Sequence, residues 1–103
     1  MLVETNFILN HTRNKSKEEV LNDEVLCRAL VRSLEIIGEA TKKLDMDFKL
    51  LYPHIEWRKM ARTRDKLIHD YFGIDYDILW DIIENKIIDL DFFLQELVLD
   101  YEK

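Results

Sequence analysis

The chain is predicted to be all-α, an up-and-down bundle of four main helices, and three observations carry that prediction. Only two of its 103 residues are glycine and one is proline, so few positions interrupt a helix. Apolar residues recur at three- and four-residue spacing along most of the chain, the period of a helix with one buried face. Ahead of these stretches stand residues whose side chains satisfy the free N–H groups of a first helical turn: Ser16, Asp23 and Asp75. With 48% hydrophobic and 35% charged residues, the length suffices for one buried core and a single domain over residues 1–103.

In chain order, Leu2, Val3, Phe7, Ile8 and Leu9 predict a first helix of about three turns within residues 2–12. Ser16-Lys17-Glu18-Glu19 reads as a capping box and opens the next helix. Asn22 and Asp23 can cap the chain again, and from Val25 to Leu44 the apolar period is sustained, which predicts one long helix. Gly38 lies inside it and disfavours helix by ~1 kcal/mol relative to alanine. Its expected use is close approach of a neighbouring helix over Gly38 and Ala40. Residues 47–52 carry a short helical turn, ended by Pro53. A further helix is expected from Trp57 to Asp70. After Gly73, Asp75 is a candidate cap for one long helix, or two in tandem bending near Asn85, that runs through Ile78, Ile82, Leu90 and Leu97.

Cys27 is the only cysteine and cannot form an internal disulfide; its neighbours suggest a small, partly buried thiol of a reducing compartment. No apolar run approaches the ~20 residues that span a bilayer, and the N-terminal residues lack a signal-peptide pattern, so a cytoplasmic protein without membrane contact is expected. The formal net charge is −6, which argues against a general nucleic-acid coat protein. Charge is uneven, however. Residues 75–103 hold nine acids against Lys86 and Lys103, a local balance of −7, so residues 1–74 sit near +1. Within them Arg58, Lys59, Arg62, Arg64 and Lys66 face only Glu56 and Asp65, a local basic surface.

Chemically useful side chains concentrate in one stretch, Arg64-Asp65-Lys66-Leu67-Ile68-His69-Asp70-Tyr71. Projected on an ideal helix, Trp57, Met60, Ala61, Leu67, Ile68 and Tyr71 share a face with Arg64 at its centre. A guanidinium in an apolar stripe has to pair, snorkel or line a cleft. His69 projects to the opposite face beside Arg58, Arg62 and Asp65, with Asp65 one turn earlier. A straight helix therefore keeps Arg64 and His69 apart, unless the helix deforms near Gly73, the arginine swings, or a second subunit completes the pair. Arginine with histidine suits phosphodiester cleavage without a metal: imidazole moves a proton at a ribose 2′-hydroxyl or a leaving oxygen, and arginine stabilises charge on the phosphoryl oxygens. There is no Gly-rich phosphate loop, cysteine cluster or histidine pair at metal-ligand spacing, so neither a metal nor a cofactor is expected. His11 and His54 read as solvated histidines, and Trp57 and Trp80 as core or interface fillers.

The string RDKLIHDYFGID, carrying Arg64-x-x-x-x-His69-x-Tyr71, stands with the upstream LEIIGEATKKL and YPHIEWRKMA and the downstream LWDII. Together they resemble the HepT-like branch of the HEPN-domain ribonucleases over roughly residues 16–100. The resemblance implies a HEPN-like helical bundle and a homodimer or higher homo-oligomer whose two motifs line one cleft. It implies a metal-independent endoribonuclease toxin of a type VII toxin–antitoxin system, acting on RNA and not DNA, with Arg64 and His69 as the catalytic pair. Arg58, Arg62, Asp65 and Lys66 would support the pair and hold RNA. The partner implied is an MntA-like nucleotidyltransferase antitoxin that adds AMP to the motif tyrosine, here Tyr71. The competing expectation is a non-catalytic HEPN subunit that binds a nucleotide or positions such a nucleotidyltransferase.

Overall fold

Side-chain caps set three of the helix starts in the computed structural model, which describes residues 1–69 and 73–102, without the side chains of Arg64, Ile68, His69 and residues 100–102. After α1 (Leu2–Thr12), Ser16 Oγ accepts the Glu19 N–H at 3.1 Å while the Glu19 carboxylate accepts the Ser16 N–H at 3.4 Å, and this capping box opens α2 (Lys17–Leu21). Asp23 accepts the Leu26 N–H at 3.0 Å at the start of α3 (Glu24–Lys42), and Asp75 accepts the Ile78 N–H at 3.1 Å at the start of α7 (Tyr76–Asp81). The turn expected at 47–52 is α4 (Met46–Leu51).

The chain is all-α apart from one two-residue strand pair among the described residues. α3 is the central element. It packs against α1 on one side and against α5 (Trp57–Ala61) and α6 (Thr63–Leu67) on the other, while α1 also packs on α8 (Ile87–Glu102). Between them Ile8, Val20, Leu30, Leu34, Ile37, Leu67, Leu79, Ile83 and Ile87 form one buried cluster. The shortest dimension of the molecule, 18 Å, matches two helix layers of about 10 Å each. Gly38 does what the sequence suggests: a Cβ there would stand 3.3 Å from the Met60 carbonyl oxygen and 3.5 Å from that of Ala61, so its absence lets α5 lie directly on α3.

A polar clamp joins the ends of the chain. Thr5 and Asp91 are both buried, and the Thr5 hydroxyl bonds Asp91 Oδ1 at 2.6 Å while Gln95 Nε2 donates to Oδ2 at 2.5 Å. Thr5→Val keeps the shape but leaves a buried carboxylate oxygen short of a partner, so unfolding free energy should fall by ~1–3 kcal/mol in a urea titration. An unchanged midpoint would mean that water replaces the hydroxyl.

Cys27 is 1% exposed with Sγ 3.3 Å from the Val20 carbonyl oxygen. Burial, and then the Asp23 carboxylate, push its thiol above the ordinary value, so the folded state favours the neutral form. That preference supports the fold fully below the ordinary thiol pKa and is lost as pH rises through the higher folded value. Iodoacetamide at pH 7.5 should therefore modify Cys27 at least ~10-fold more slowly in the folded than in the urea-unfolded protein; equal rates would contradict the burial.

One expectation is corrected. The helix anticipated from Trp57 to Asp70 is two short helices that stop at Leu67. At Arg62 the backbone leaves helical geometry, with its N–H shared among the carbonyls of Arg58, Lys59 and Met60, and the Thr63 hydroxyl donates to the Met60 carbonyl at 2.8 Å. Such a side-chain bond competes with the helical ladder. After Leu67 the chain is extended: β1 (Ile68–His69) pairs antiparallel with β2 (Gly73–Ile74), His69 opposite Gly73. Gly73 has φ +77°, which only glycine adopts freely, and the Asp75 N–H closes the turn onto the Leu67 carbonyl at 2.7 Å. Of the two forms expected for the C-terminal segment, one long helix or two in tandem bending near Asn85, the structure has the continuous one, with a π turn (Ile82–Lys86) between α7 and α8.

Candidate active site

The described part of the motif, Arg64 to His69, runs from α6 into β1. The backbone of Arg64 belongs to α6 and that of His69 to β1, so the two residues are not on one helix and the opposite-face projection no longer separates them. Their side chains, and all of Tyr71, lie outside the described residues. Arg58, Arg62, Asp65 and Lys66 are exposed along α5 and α6.

Two depressions flank this junction. The larger, of about 460 Å³, lies between α3, the loop after α4, α5, α6 and the π turn. Leu34, Ile37, Met60, Ile78, Ile82, Ile87 and Leu90 supply its apolar wall, and Thr63 and Lys66 of α6 bring the motif helix to it. The π turn makes that wall possible. Nine residues along an uninterrupted α-helix amount to a rotation of about 180°, which would turn Ile87 away from Ile78. The wider π turn holds the rotation back, so side chains of α7 and α8 line the same cavity. Such turns recur at functional sites.

Charges at this cavity are arranged unevenly. Lys59 Nζ lies 3.2 Å from Glu56 Oε2. The hydrogen bond from Lys59, together with the charges of Lys59, Lys86 and Lys66, holds the Glu56 carboxyl below its ordinary value. Lys59, Lys66, Lys86 and Glu56 all line the cavity. Asp81 and Asp89 also line the cavity, and Asp81 accepts the Asn85 side-chain N–H at 2.7 Å. His54, expected to be simply solvated, is exposed at the rim but sets its ring edge-on to Phe93 at 5.6 Å and to Tyr52 at 6.4 Å. Trp57 is the filler foreseen: its ring meets Phe93 at 6.2 Å and Nε1 donates to the Lys49 and Tyr52 carbonyls at 3.1 Å each.

The second depression, of about 400 Å³, lies on the other side of the turn, where Gly73, Ile74 and Tyr76 face Cys27, Arg28, Arg32 and Glu35 of α3. Arg28 pairs with Glu24 at 2.7 Å and Arg32 with Glu35 at 3.4 Å. Sequence reading did not connect Arg28, Arg32 or Lys86 with the motif. The one available signal was the i, i+4 spacing of the two arginines on a helix otherwise read for its apolar face.

Among the described residues no helix is long and apolar enough to cross a membrane, and no three His, Cys, Asp or Glu side chains gather where they could hold a metal ion.

Comparison with known proteins identifies the family. The family model described as Ribonuclease HepT-like matches residues 1–97. A candidate RNase of Methanocaldococcus jannaschii is 46% identical over 95 residues, which is 92% of this chain and 78% of that protein. A candidate RNase of Caldanaerobacter subterraneus is 42% identical over 98 residues, 95% of this chain and 88% of the relative. A Thermococcus cleftensis protein named "Probable ribonuclease HepT" is 51% identical over 76 residues, 74% of this chain and 69% of its own. No solved structure matches the chain. An all-α chain that carries the Arg64-to-Tyr71 motif in its sequence and matches this family over residues 1–97 belongs to the HepT-like ribonucleases.

Proposed function

We propose that the protein is an endoribonuclease toxin that cleaves RNA without a metal, with His69 moving the proton and Arg64 stabilising charge on the phosphoryl oxygens. The observation that supports this most is the end of α6 at Leu67. On an unbroken helix five residues separate Arg64 from His69 by about 140°, too far for one phosphate. With His69 in an extended strand that constraint is gone, and a phosphodiester can sit between the two residues of one chain. His69 takes the proton of the ribose 2′-hydroxyl as its oxygen attacks the adjacent phosphorus, or returns one to the departing 5′ oxygen. Arg58, Arg62 and Lys66, with Asp65 among them, form the exposed surface that receives the strand.

The working unit is a homodimer. In support, Leu50, Leu51, Ile88, Phe92 and Leu99 of α4 and α8 are exposed apolar side chains, a face that a symmetric partner would cover. A nucleotidyltransferase antitoxin of the MntA kind is the proposed regulator, and Tyr71 the AMP acceptor: an added nucleotide places a bulky anion beside the residues that bind the substrate phosphate.

The deciding experiment is incubation of the purified protein with total RNA in EDTA. Cleavage in chelator supports the reading, whereas cleavage abolished by chelator overturns the metal-free mechanism. Binding without any cleavage would instead favour the non-catalytic nucleotide-binding or interaction subunit. For regulation, the protein is mixed with a candidate MntA-like enzyme and ATP. A mass gain of AMP is expected that disappears in Tyr71→Phe and accompanies loss of cleavage; gain persisting in that variant refutes the assignment.

A further inference from the structure

We infer that Glu35 of α3 is a positioning residue for Arg64 of α6: its carboxylate is the counter-charge that holds the guanidinium ready for the phosphoryl oxygens. The inference rests on the role given to Arg64 above and adds to it an acid from another element, far from the motif in sequence.

Register argues for the pairing. The Cβ position of Gly38 lies 3.3 Å from the Met60 carbonyl oxygen, whereas Gly73 and Ile74, further along the chain, share the second depression with Cys27, Val31 and Glu35. As residue numbers rise from α5 to β2, those opposite them on α3 fall, so the two segments run antiparallel. Arg64 comes three residues after Ala61 and Glu35 three residues before Gly38, about 4.5 Å along each helix, which sets the two backbones level. The faces agree as well. On α3 Glu35 projects within about 60° of Gly38, and on α6 Arg64 projects within about 60° of Leu67, which is fully buried.

Burial argues for a charged partner. The Glu35 side chain is 23% exposed, against 74% for Glu24 and 61% for Glu39 on the same helix. A carboxylate withdrawn that far from water needs compensation. The bond that Arg32 donates to it is 3.4 Å long and comes from a side chain 68% exposed, so it supplies little. Arg28, the other guanidinium of that depression, is held by Glu24 at 2.7 Å. Arginine suits the pairing because its planar fork can give one edge to a carboxylate and keep N–H groups on the other for a phosphate. A counter-charge on α3 fixes that fork before the substrate arrives.

The test is a double-mutant cycle read in two ways, by cleavage of one defined RNA in EDTA and by the midpoint of urea unfolding. Glu35→Gln keeps the shape of the side chain and removes its charge. It should lower kcat by ~10–10²-fold with KM nearly unchanged, because a misaimed guanidinium loses transition-state stabilisation rather than substrate binding. Added to Arg64→Gln it should cost less than about 2-fold more. An undiminished kcat in Glu35→Gln, or losses that multiply in the double variant, would each overturn the inference. The midpoints decide it without RNA. Arg64→Gln strips Glu35 of the counter-charge inferred here, so adding Glu35→Gln to that variant should raise the midpoint, whereas in the parent the same change lowers it. A further fall in the double variant overturns the pairing. Arg32→Ala should leave rate and midpoint at parental values; a loss equal to that of Glu35→Gln would transfer the effect to Arg32 and refute the assignment. If the midpoints reverse as expected and the parent leaves RNA intact, the pairing stands and it is the nuclease reading that fails.

Discussion

Replacing His69 by alanine should lower the rate of RNA cleavage by ~10²-fold or more while leaving the fold and RNA affinity close to those of the parent. The expectation follows from the chemistry assigned to the residue: a positioned proton-transfer group contributes roughly 10²–10⁴-fold, and alanine cannot replace it. His69 sits in a two-residue strand paired through backbone with Gly73, and those backbone bonds do not require the imidazole. The measurement is the cleavage rate on one defined RNA in EDTA, with circular dichroism as the check on folding. Arg64→Lys should fall between parent and His69→Ala, because an ammonium keeps the charge but loses the planar fork that binds two phosphoryl oxygens at once. Unchanged cleavage by His69→Ala would remove this residue from the reaction.

Leu67→Ala should be among the most damaging core substitutions, costing ~2–5 kcal/mol of unfolding free energy. Leu67 is fully buried at the end of α6, and its carbonyl receives the Asp75 N–H at 2.7 Å. It therefore joins the core to the turn that carries the motif, and loosening it should weaken activity together with stability. An exposed apolar residue outside the proposed dimer face provides the comparison: Val25 is 79% exposed, and its replacement by alanine should stay within about 0.5 kcal/mol. Denaturant titrations of both variants decide the matter: a loss below ~1 kcal/mol at Leu67 would contradict its place in the core.

Much of the scaffold was legible from local chemistry. Ser16, Asp23 and Asp75 were readable as caps because the bonds they make run to N–H groups three residues away, a distance that sequence spacing encodes directly. Gly38 was readable as a close approach because a glycine inside a long apolar period has few other uses. The region around the motif was less legible. Thr63, Ile68 and Gly73 each weaken a helix slightly, yet the apolar period runs through residues 57–71 and favours an unbroken one, so periodicity alone places His69 on the wrong element. The C-terminal segment read equally as one long helix or as two bending near Asn85, and nothing local marked the π turn.

The amino-acid sequence by itself determined the helical class, the cap positions, the buried face of α3 and the Arg64-to-Tyr71 motif, since all of these depend on residues within a few positions of one another. Only the tertiary structure decided that α6 stops at Leu67, where the Asp75 N–H, eight residues on, takes the Leu67 carbonyl and Gly73 turns the chain back. It alone decided that Lys59, Lys66 and Lys86 line one cavity together with Glu56, Asp81 and Asp89. That grouping requires α5 to lie on α3 over Gly38 and the π turn to rotate Ile87 back toward Ile78. Both are consequences of packing between segments tens of residues apart, where spacing along the chain carries no information about distance.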